Sequence, residues 1–300
     1  MKRDFLTLSD ITSEELAALL ERAAALKAGA DRSACPLMGR SIGLLFDKTS
    51  TRTRISFQTG IYQLGAQAIY INTQELQLGR GETIEDTARV LSRYLHGIVL
   101  RTYAHTTIEK LAANATIPVI NGLTDLHHPC QALADMLTIK EKKGRLGGVR
   151  LVYVGDGNNV ANSLLEAALM TGVELVLACP KGYEPDNRIF TGVVSGGGRV
   201  RIVTDPEEAV RDADVLYTDV WISMGQEREV ERRKKIFRGY QINRRLVSLA
   251  KPDVIVMHCL PAHRGEEITD EVLDSPRSVV IDQAENRLHT QKALLEMLVK

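Results

Sequence analysis

The sequence predicts an α/β protein built from two doubly wound domains, each a parallel sheet flanked by helices. Short apolar segments alternate with amphipathic ones along the chain, as in parallel sheets that helices cover on both faces. Glycines between Gly144 and Gly148 interrupt this alternation near the middle. The 300 residues are enough for two domains at roughly 150 residues each.

The first domain is expected over residues 1–140, completed by a C-terminal helix over 285–300. It opens with a helix over 12–28, where Thr12 and Glu15 fit a capping box. Pro129 suits the first position of a long helix that runs to Lys143. The remaining elements are expected as strands at 41–46, 68–72, 97–100 and 118–121, and helices at 51–64, 82–94 and from 107.

The second domain is expected over residues 141–284 and repeats the alternation. Strands are predicted at 149–154, 173–178, 199–203, 214–219, 253–258 and 278–281, and helices at 159–171, 206–211, 227–237, 243–249 and 285–299. The run 227–238 is dense in both charges, which predicts a solvated helix face.

Composition excludes several classes of protein. Lys and Arg number 38, as do Asp and Glu, and this balance argues against a general nucleic-acid binder. The four cysteines form no CxxC pair, which favours a reducing compartment over a disulfide framework. The N-terminus lacks the apolar core of a signal peptide, and no apolar stretch approaches a membrane span. We therefore expect a cytoplasmic protein without membrane association.

The most informative stretch is 46–54, where a predicted strand ends and a helix begins. Such a junction presents free backbone N–H groups and the positive end of a helix dipole. Ser50, Thr51 and Thr53 add hydroxyl donors, while Arg52 and Lys48 add positive charge. These residues predict a phosphate site, although a serine N-cap with exposed arginines would show the same residue types.

Five segments and Arg101, which follows the strand at 97–100, can be compared with known families. Each segment lies at the end of a predicted strand or at a helix start, where open α/β sheets bind ligands. They resemble, in this order and over nearly the whole chain, the ornithine branch of the aspartate/ornithine carbamoyltransferase family. The segments are Ser50–Arg54, His127–Gln131, Asp219–Gly225, His258–Pro261 and Ala284–Arg287.

This resemblance implies transfer of the carbamoyl group of carbamoyl phosphate to the δ-amine of L-ornithine, giving L-citrulline and phosphate in arginine metabolism. It also implies an active site in the interdomain cleft, a homotrimer, and no cofactor. The implied carbamoyl-phosphate contacts are Ser50, Thr51, Arg52, Thr53, Gln77, Arg101, His128, Pro129, Cys130, Gln131, Cys259, Leu260 and Arg287. The implied ornithine contacts are Asn159, Asp219, Ser223 and Met224, and the implied catalytic residues are Arg101, His128, Cys259 and Asp219.

Further features of the implied site are expected from the substrates and from the residues at these positions. Asp219 would hold the α-ammonium, and either Asp219 or Cys259 could help to deprotonate the δ-amine. Substrate binding would order residues 219–225 as a lid, and the Leu260–Pro261 bond could be cis. Gln77 would reach the site of a neighbouring subunit, although a surface loop explains its polar surroundings equally well.

Other functions are disfavoured by particular residues. A dinucleotide site would need a third glycine where Val160 stands, and an acidic residue where the next strand ends in Cys179. A metal site is disfavoured because no HExxH, CxxC or HxxxH pair occurs, and because His258 and Cys259 would point to opposite faces of their strand.

Four alternatives remain open at this point. Three are carbamoyltransferases that act on aspartate, on N-acylated ornithine or on putrescine. Aspartate is disfavoured among them, because transferases of aspartate generally lack the Ser-Met-Gly loop and the His-Cys-Leu-Pro segment found here. The fourth is a non-catalytic relative that binds anions.

Overall fold

The computed structural model describes residues 2–30, 34–72, 81–222 and 229–299. The chain forms two compact units: unit 1 comprises residues 1–137 and 285–300, and unit 2 comprises 138–284. Each is built around its own parallel sheet. No helix in these described ranges has the length and apolar character that a membrane crossing requires.

The elements of unit 1 alternate as the sequence predicts. They are α1 (Ser13–Lys27), β1 (Ser41–Phe46), α2 (Thr51–Gln63), β2 (Gln67–Asn72), α3 (Ile84–Tyr94), β3 (Gly97–Arg101), α4 (His105–Asn114), β4 (Val119–Leu123) and the first part of α5 (Pro129–Lys143). The sheet order is β2-β1-β3-β4, with all three pairs parallel. β1 and β3 are buried almost throughout, which explains why both are continuous apolar runs.

Local chemistry accounts for the helix starts in this unit. The Thr12 side chain accepts from the Glu15 N–H and the Glu15 carboxylate accepts from the Thr12 N–H, so the predicted capping box is confirmed. Thr83 caps α3 in the same manner through the Asp86 N–H. Leu16, Leu19 and Leu20 of α1 are buried on one face.

Unit 2 contains a five-stranded parallel sheet in the order β7-β6-β5-β8-β9. After α5 its elements are β5 (Arg150–Val154), α6 (Asn159–Thr171), β6 (Glu174–Ala178), α7 (Asn187–Ser195), β7 (Val200–Val203), α8 (Pro206–Ala209), β8 (Val215–Thr218), α9 (Val230–Phe237), α10 (Arg244–Ser248), β9 (Ile255–His258), α11 (Asp270–Leu273) and the start of α12 (Val280–Leu298). Its core is formed by apolar side chains such as Val152, Leu216 and Val256.

Two parts of the sequence prediction for this unit are wrong. The expected strand at 278–281 is instead the start of α12, and Ser278 pairs with Val256 only through an isolated bridge. A short apolar run does not distinguish a buried strand from a buried helix start. Helices α7 and α11 were not expected; α7 follows the cap residue Asp186, whose side chain accepts two backbone N–H groups.

Candidate active site

In unit 1 the order in which strands are added to the sheet changes direction at β1, because β2 lies on one side of β1 and β3 on the other. The carboxyl ends of β1 and β3 meet there, with Phe46 paired to Arg101. Ligands of doubly wound sheets bind at such a switch point. The Ser50–Thr53 turn follows β1 and Arg101 ends β3, so the topology brings both predicted segments to one edge.

The turn after β1 is a capped helix start. The Ser50 side chain accepts from the Thr53 N–H at 3.2 Å, while Thr51 is exposed, Arg52 is half-buried and Thr53 is buried. The serine N-cap and the anion site are therefore compatible. Capping uses one N–H of the first turn and leaves the positive end of the helix in place.

Arg287 of α12 reaches this turn through two hydrogen bonds. Its Nη2 donates to Thr53 Oγ1 at 2.8 Å, and its Nη1 donates to Gln131 Oε1 at 2.6 Å. Arg287 is 3% exposed, so both bonds are shielded from water. The structure thus joins predicted residues of α2, α5 and α12.

Close helix packing makes this contact possible. A Cβ on Gly60 would lie 3.2 Å from Lys292 Cγ and 3.5 Å from Leu288 Cδ1, so α12 approaches α2 closely at the glycine. Gly60 stands seven residues after Thr53, which places both on the same face of α2. The Lys292 Nζ also donates to Gln63 Oε1 at 2.9 Å.

Arg101 and His128 complete the group of polar side chains at this edge in unit 1. The pairing of β3 with β4 shifts register between Leu100 and Arg101; such irregularities redirect side chains near functional sites. Burial, and then the charges of Arg287, Arg101 and Arg52, lower the pKa of His128 well below its usual 6.5. A neutral imidazole has one N–H donor and one acceptor nitrogen.

Several neighbouring side chains have other partners. Pro129 begins α5, as predicted. The Cys130 thiol donates to the Asn121 carbonyl at 3.3 Å, and burial raises its pKa to about 12, so it behaves as a small buried side chain. Lys48 forms an ion pair with Asp125. Arg54 lies over the Tyr70 ring, 3.6 Å from its centroid.

Unit 2 has a switch point of its own between β5 and β8. Asp219 directly follows β8 and is 7% exposed. Its Oδ2 accepts from Asn158 Nδ2 at 2.7 Å. Asn158 also caps α6, because its Oδ1 accepts from the N–H groups of Val160 at 2.9 Å and Ala161 at 3.3 Å.

The sequence analysis selected Asn159 and missed Asn158. Asn159 is the first residue of α6 and is half-buried beside the cap. An asparagine just before an apolar helix is a recognisable N-cap signal. The second contact of Asn158, with Asp219, depends on the sheet order and could not be predicted from the sequence.

The Cys259 sulfur lies beside the same carboxylate. Its Sγ donates to Asp219 Oδ1 at 2.8 Å. The expectation that His258 and Cys259 point to opposite faces is wrong. β9 ends at His258, and ligand atoms of Asp219, His258 and Cys259 lie within 4.8 Å of one another. Strand alternation does not extend to a residue beyond the strand.

The two ring nitrogens of His258 have partners in the protein. Nδ1 accepts from the Leu260 N–H at 2.8 Å, and Nε2 lies 3.0 Å from Glu267 Oε1. Leu260 has a left-handed φ of 57° and precedes a cis bond to Pro261, so the expectation of a cis bond is confirmed. The imidazole thereby stabilises the turn that carries Cys259 and Leu260.

A buried arginine contacts the start of the predicted lid over residues 219–225. Arg233 of α9 forms an ion pair with Asp156, and its Nε donates to the Trp221 carbonyl at 2.6 Å. Arg233 is 4% exposed, so the prediction of a solvated helix face over 227–238 does not hold at this position. Trp221 is also buried and stacks on Phe237 with 6.0 Å between ring centroids.

The glycine-rich turn after β5 does not have a dinucleotide-binding form. A Cβ on Gly157 would lie 2.2 Å from the Pro185 backbone nitrogen, and the Gly157 N–H donates to the Tyr183 carbonyl at 2.8 Å. The backbone at 183–185 thus occupies the space over this glycine. Close backbone contact explains why glycine stands here.

Three predicted contacts, Gln77, Ser223 and Met224, lie outside the described residues. The others fall into two groups, each within one unit. The unit 1 group contains Ser50, Thr51, Arg52, Thr53, Arg101, His128, Pro129, Cys130, Gln131 and Arg287, and the unit 2 group contains Asp219, Cys259, Leu260 and Asn159 beside the unpredicted Asn158. We call these groups the cationic half-site and the carboxylate half-site.

Family models cover both units. Residues 3–141 match the carbamoyl-phosphate-binding domain of aspartate/ornithine carbamoyltransferases, and residues 147–298 match the aspartate/ornithine-binding domain. The ornithine carbamoyltransferase of Syntrophus aciditrophicus is 57% identical over the whole of both chains. The anabolic enzyme of Pyrococcus furiosus is 55% identical, across 99% of this chain and 96% of its own.

Solved structures agree with these matches. The ornithine carbamoyltransferase of Pyrococcus furiosus superposes with a TM-score of 0.94 at 56% identity, covering 99% of this chain and 96% of its own. That of Thermus thermophilus gives 0.92 at 44% identity, with complete coverage of both chains. The chain therefore belongs to the aspartate/ornithine carbamoyltransferase family.

Proposed function

We propose that this protein is an ornithine carbamoyltransferase, which converts carbamoyl phosphate and L-ornithine into L-citrulline and phosphate. One observation carries the proposal. The cationic half-site and the carboxylate half-site lie at the switch points of separate sheets, and their charges suit a dianion and an amino acid, respectively. We propose that both act on one pair of substrates.

The cationic half-site matches carbamoyl phosphate. Arg52, Arg101 and Arg287 supply positive charge for the dianion, and the start of α2 adds backbone N–H groups. His128 is neutral, so its imidazole donates one hydrogen bond to the carbamoyl oxygen without adding another buried charge. Gln131 contacts the carbamoyl end.

The carboxylate half-site matches the amino acid. Asp219, oriented by the Asn158 amide, holds the α-ammonium of ornithine. Asn159, Ser223 and the Met224 backbone N–H bind its α-carboxylate, and closure of residues 219–225 over the substrate excludes water. Cys259 and Leu260 line the path of the δ-amine toward the carbamoyl carbon.

The chemistry requires stabilisation of negative charge. As the δ-amine attacks, charge develops on the carbonyl oxygen and then on the leaving phosphate. Arg101, His128 and Thr53 supply donors at fixed positions, and one such donor is typically worth about 10²–10³ in rate. We propose that these residues perform the reaction without a cofactor.

Product analysis tests the reaction, and paired variants test the site. We expect citrulline from ornithine and little carbamoylation of putrescine, aspartate or acetylornithine. Arg52→Ala should severely weaken carbamoyl-phosphate binding in calorimetry without unfolding the protein. Arg54→Ala removes a nearby cation that packs on Tyr70 and serves as the matched control. An equal loss of carbamoyl-phosphate affinity in Arg52→Ala and Arg54→Ala would contradict the proposal, as would the absence of citrulline formation by the unaltered protein.

We also propose a homotrimer in which Gln77 contacts carbamoyl phosphate bound to a neighbouring subunit. Unit 1 supports a protein interface because it exposes large apolar side chains. These include Ile55 and Tyr62 of α2 and Val90 and Tyr94 of α3. Mixing a Gln77 variant with an Arg52 variant should restore activity in mixed trimers. Absence of recovery after proven subunit exchange would count against shared sites.

The cellular role is inferred from one relative and from the cysteines. The Pyrococcus furiosus relative is described as anabolic, and we propose the same direction, arginine biosynthesis, for this enzyme. The expected cytoplasmic location is part of the same proposal. It is supported by Cys35, Cys130, Cys179 and Cys259, all of which are free thiols.

A further inference from the structure

A buried carboxylate lies next to the cationic half-site on α5. Asp135 is fully buried and stands four residues after Gln131, so the two side chains share a helix face. Gln131 Nε2 donates to Asp135 Oδ1 at 2.9 Å. Gln131 Oε1 accepts from Arg287, and Arg287 donates to Thr53. A continuous series of hydrogen bonds therefore connects Asp135 to the turn after β1.

The donors and acceptors in this series of hydrogen bonds determine how the Gln131 amide is oriented. An amide has an acceptor at one end and a donor at the other, whereas a guanidinium only donates and an ionised carboxylate only accepts. Turning the amide over would direct its NH₂ group at Arg287 and its oxygen at Asp135. Both contacts would then be repulsive, so Asp135 selects the orientation that Arg287 also requires.

We infer that Asp135 is a positioning residue for the carbamoyl-phosphate half-site. It acts through Gln131, holding that amide so that its oxygen restrains Arg287 and its second N–H is available to the ligand. The identity of that ligand rests on the proposed function. Asp135 itself contacts neither substrate in the proposed function; only its hydrogen-bond partner Gln131 does.

Variants of Asp135 separate its acceptor role from a general role in folding. Asp135→Ala removes the acceptor, so we expect the KM for carbamoyl phosphate to rise about tenfold while the KM for ornithine changes less than about twofold. Asp135→Asn keeps an oxygen acceptor and should remain within about threefold of the unaltered protein in both constants. Glu296→Gln removes a carboxylate that pairs with Arg22 in the same unit and is the matched control.

A double-mutant cycle tests whether Asp135 acts through Gln131. In a Gln131→Ala background, adding Asp135→Ala should weaken carbamoyl-phosphate binding by less than about twofold more. Titration calorimetry with inorganic phosphate provides a second readout that needs no turnover. Absence of citrulline formation by the unaltered protein would overturn the proposed function, whereas the phosphate titrations test Asp135 independently.

The outcomes are decisive in both directions. Selective loss in Asp135→Ala, rescue in Asp135→Asn and a non-additive cycle support the inference. Full additivity with Gln131→Ala, an equal rise in the ornithine KM, or unaltered phosphate affinity in Asp135→Ala would overturn it. If Asp135→Ala does not fold, Asp135→Asn decides: a loss above about tenfold overturns the acceptor role, and retention supports it.

Discussion

Asn158 joins the end of β5 to the end of β8, and its replacement separates two physical contributions. Asn158→Ala removes the N-cap of α6, which costs about 1 kcal/mol. It also removes the amide that donates to the buried Asp219 carboxylate at 2.7 Å, a bond to a charged group worth about 1.5–3 kcal/mol. Asn158→Ser retains a good cap but cannot supply the amide donor to Asp219.

The two variants should therefore differ in stability but not in substrate binding. Both are expected to raise the KM for ornithine about tenfold or more, because Asp219 loses the donor that orients it. Carbamoyl-phosphate affinity should stay within about twofold in calorimetry. Asn158→Ala should be about 1 kcal/mol less stable than Asn158→Ser, which is about 2–4 °C in melting temperature. Equal melting temperatures, or an unchanged ornithine KM in both, would refute this reasoning.

Three further outcomes are expected. Burial raises the pKa of Asp156 from 3.8 to about 6; because the folded state holds this proton more tightly, its contribution to stability falls as pH rises from about 4 to 6. The free energy of unfolding of the unaltered protein, relative to that of Asp156→Asn, should drop by up to about 3 kcal/mol across that window. Urea titrations in which this difference does not change with pH would contradict the prediction. Gly157→Ala, whose Cβ would lie 2.2 Å from the Pro185 backbone nitrogen, should cost at least about 2 kcal/mol, whereas Gly192→Ala in α7, with open space around it, should not destabilise. Thr53→Val removes the hydroxyl oxygen that accepts from Arg287 Nη2 and should weaken phosphate binding about tenfold, with recovery in Thr53→Ser; equal affinities of the two variants would exclude this role.

Local signals account for much of what the sequence predicts correctly. The Thr12 capping box, the proline at the start of α5 and the apolar strands β1 and β3 depend on neighbours within a few residues. The strand-to-helix junction at Ser50 is likewise local, so its anion-binding character could be deduced from residue types. Arg287 joins this turn from the other end of the chain, and only the family resemblance identified it.

Contacts that depend on sheet order or helix packing were not predictable. Asn158 reaches Asp219 because β5 and β8 are adjacent, a pairing of distant segments. Arg233 lies in a strongly charged run, yet Asp156 and Trp221 bury it. Asp135 has a weak sequence signal, since it follows Gln131 at helical spacing within an otherwise apolar part of α5.

Steady-state product analysis with both substrates tests the central claim most directly. Purified protein supplied with carbamoyl phosphate and L-ornithine should release citrulline and phosphate in equal amounts. The rate should fall sharply in Arg52→Ala, while Arg54→Ala should retain most of it. Phosphate release without citrulline, or faster carbamoylation of putrescine, aspartate or acetylornithine than of ornithine, would contradict the account.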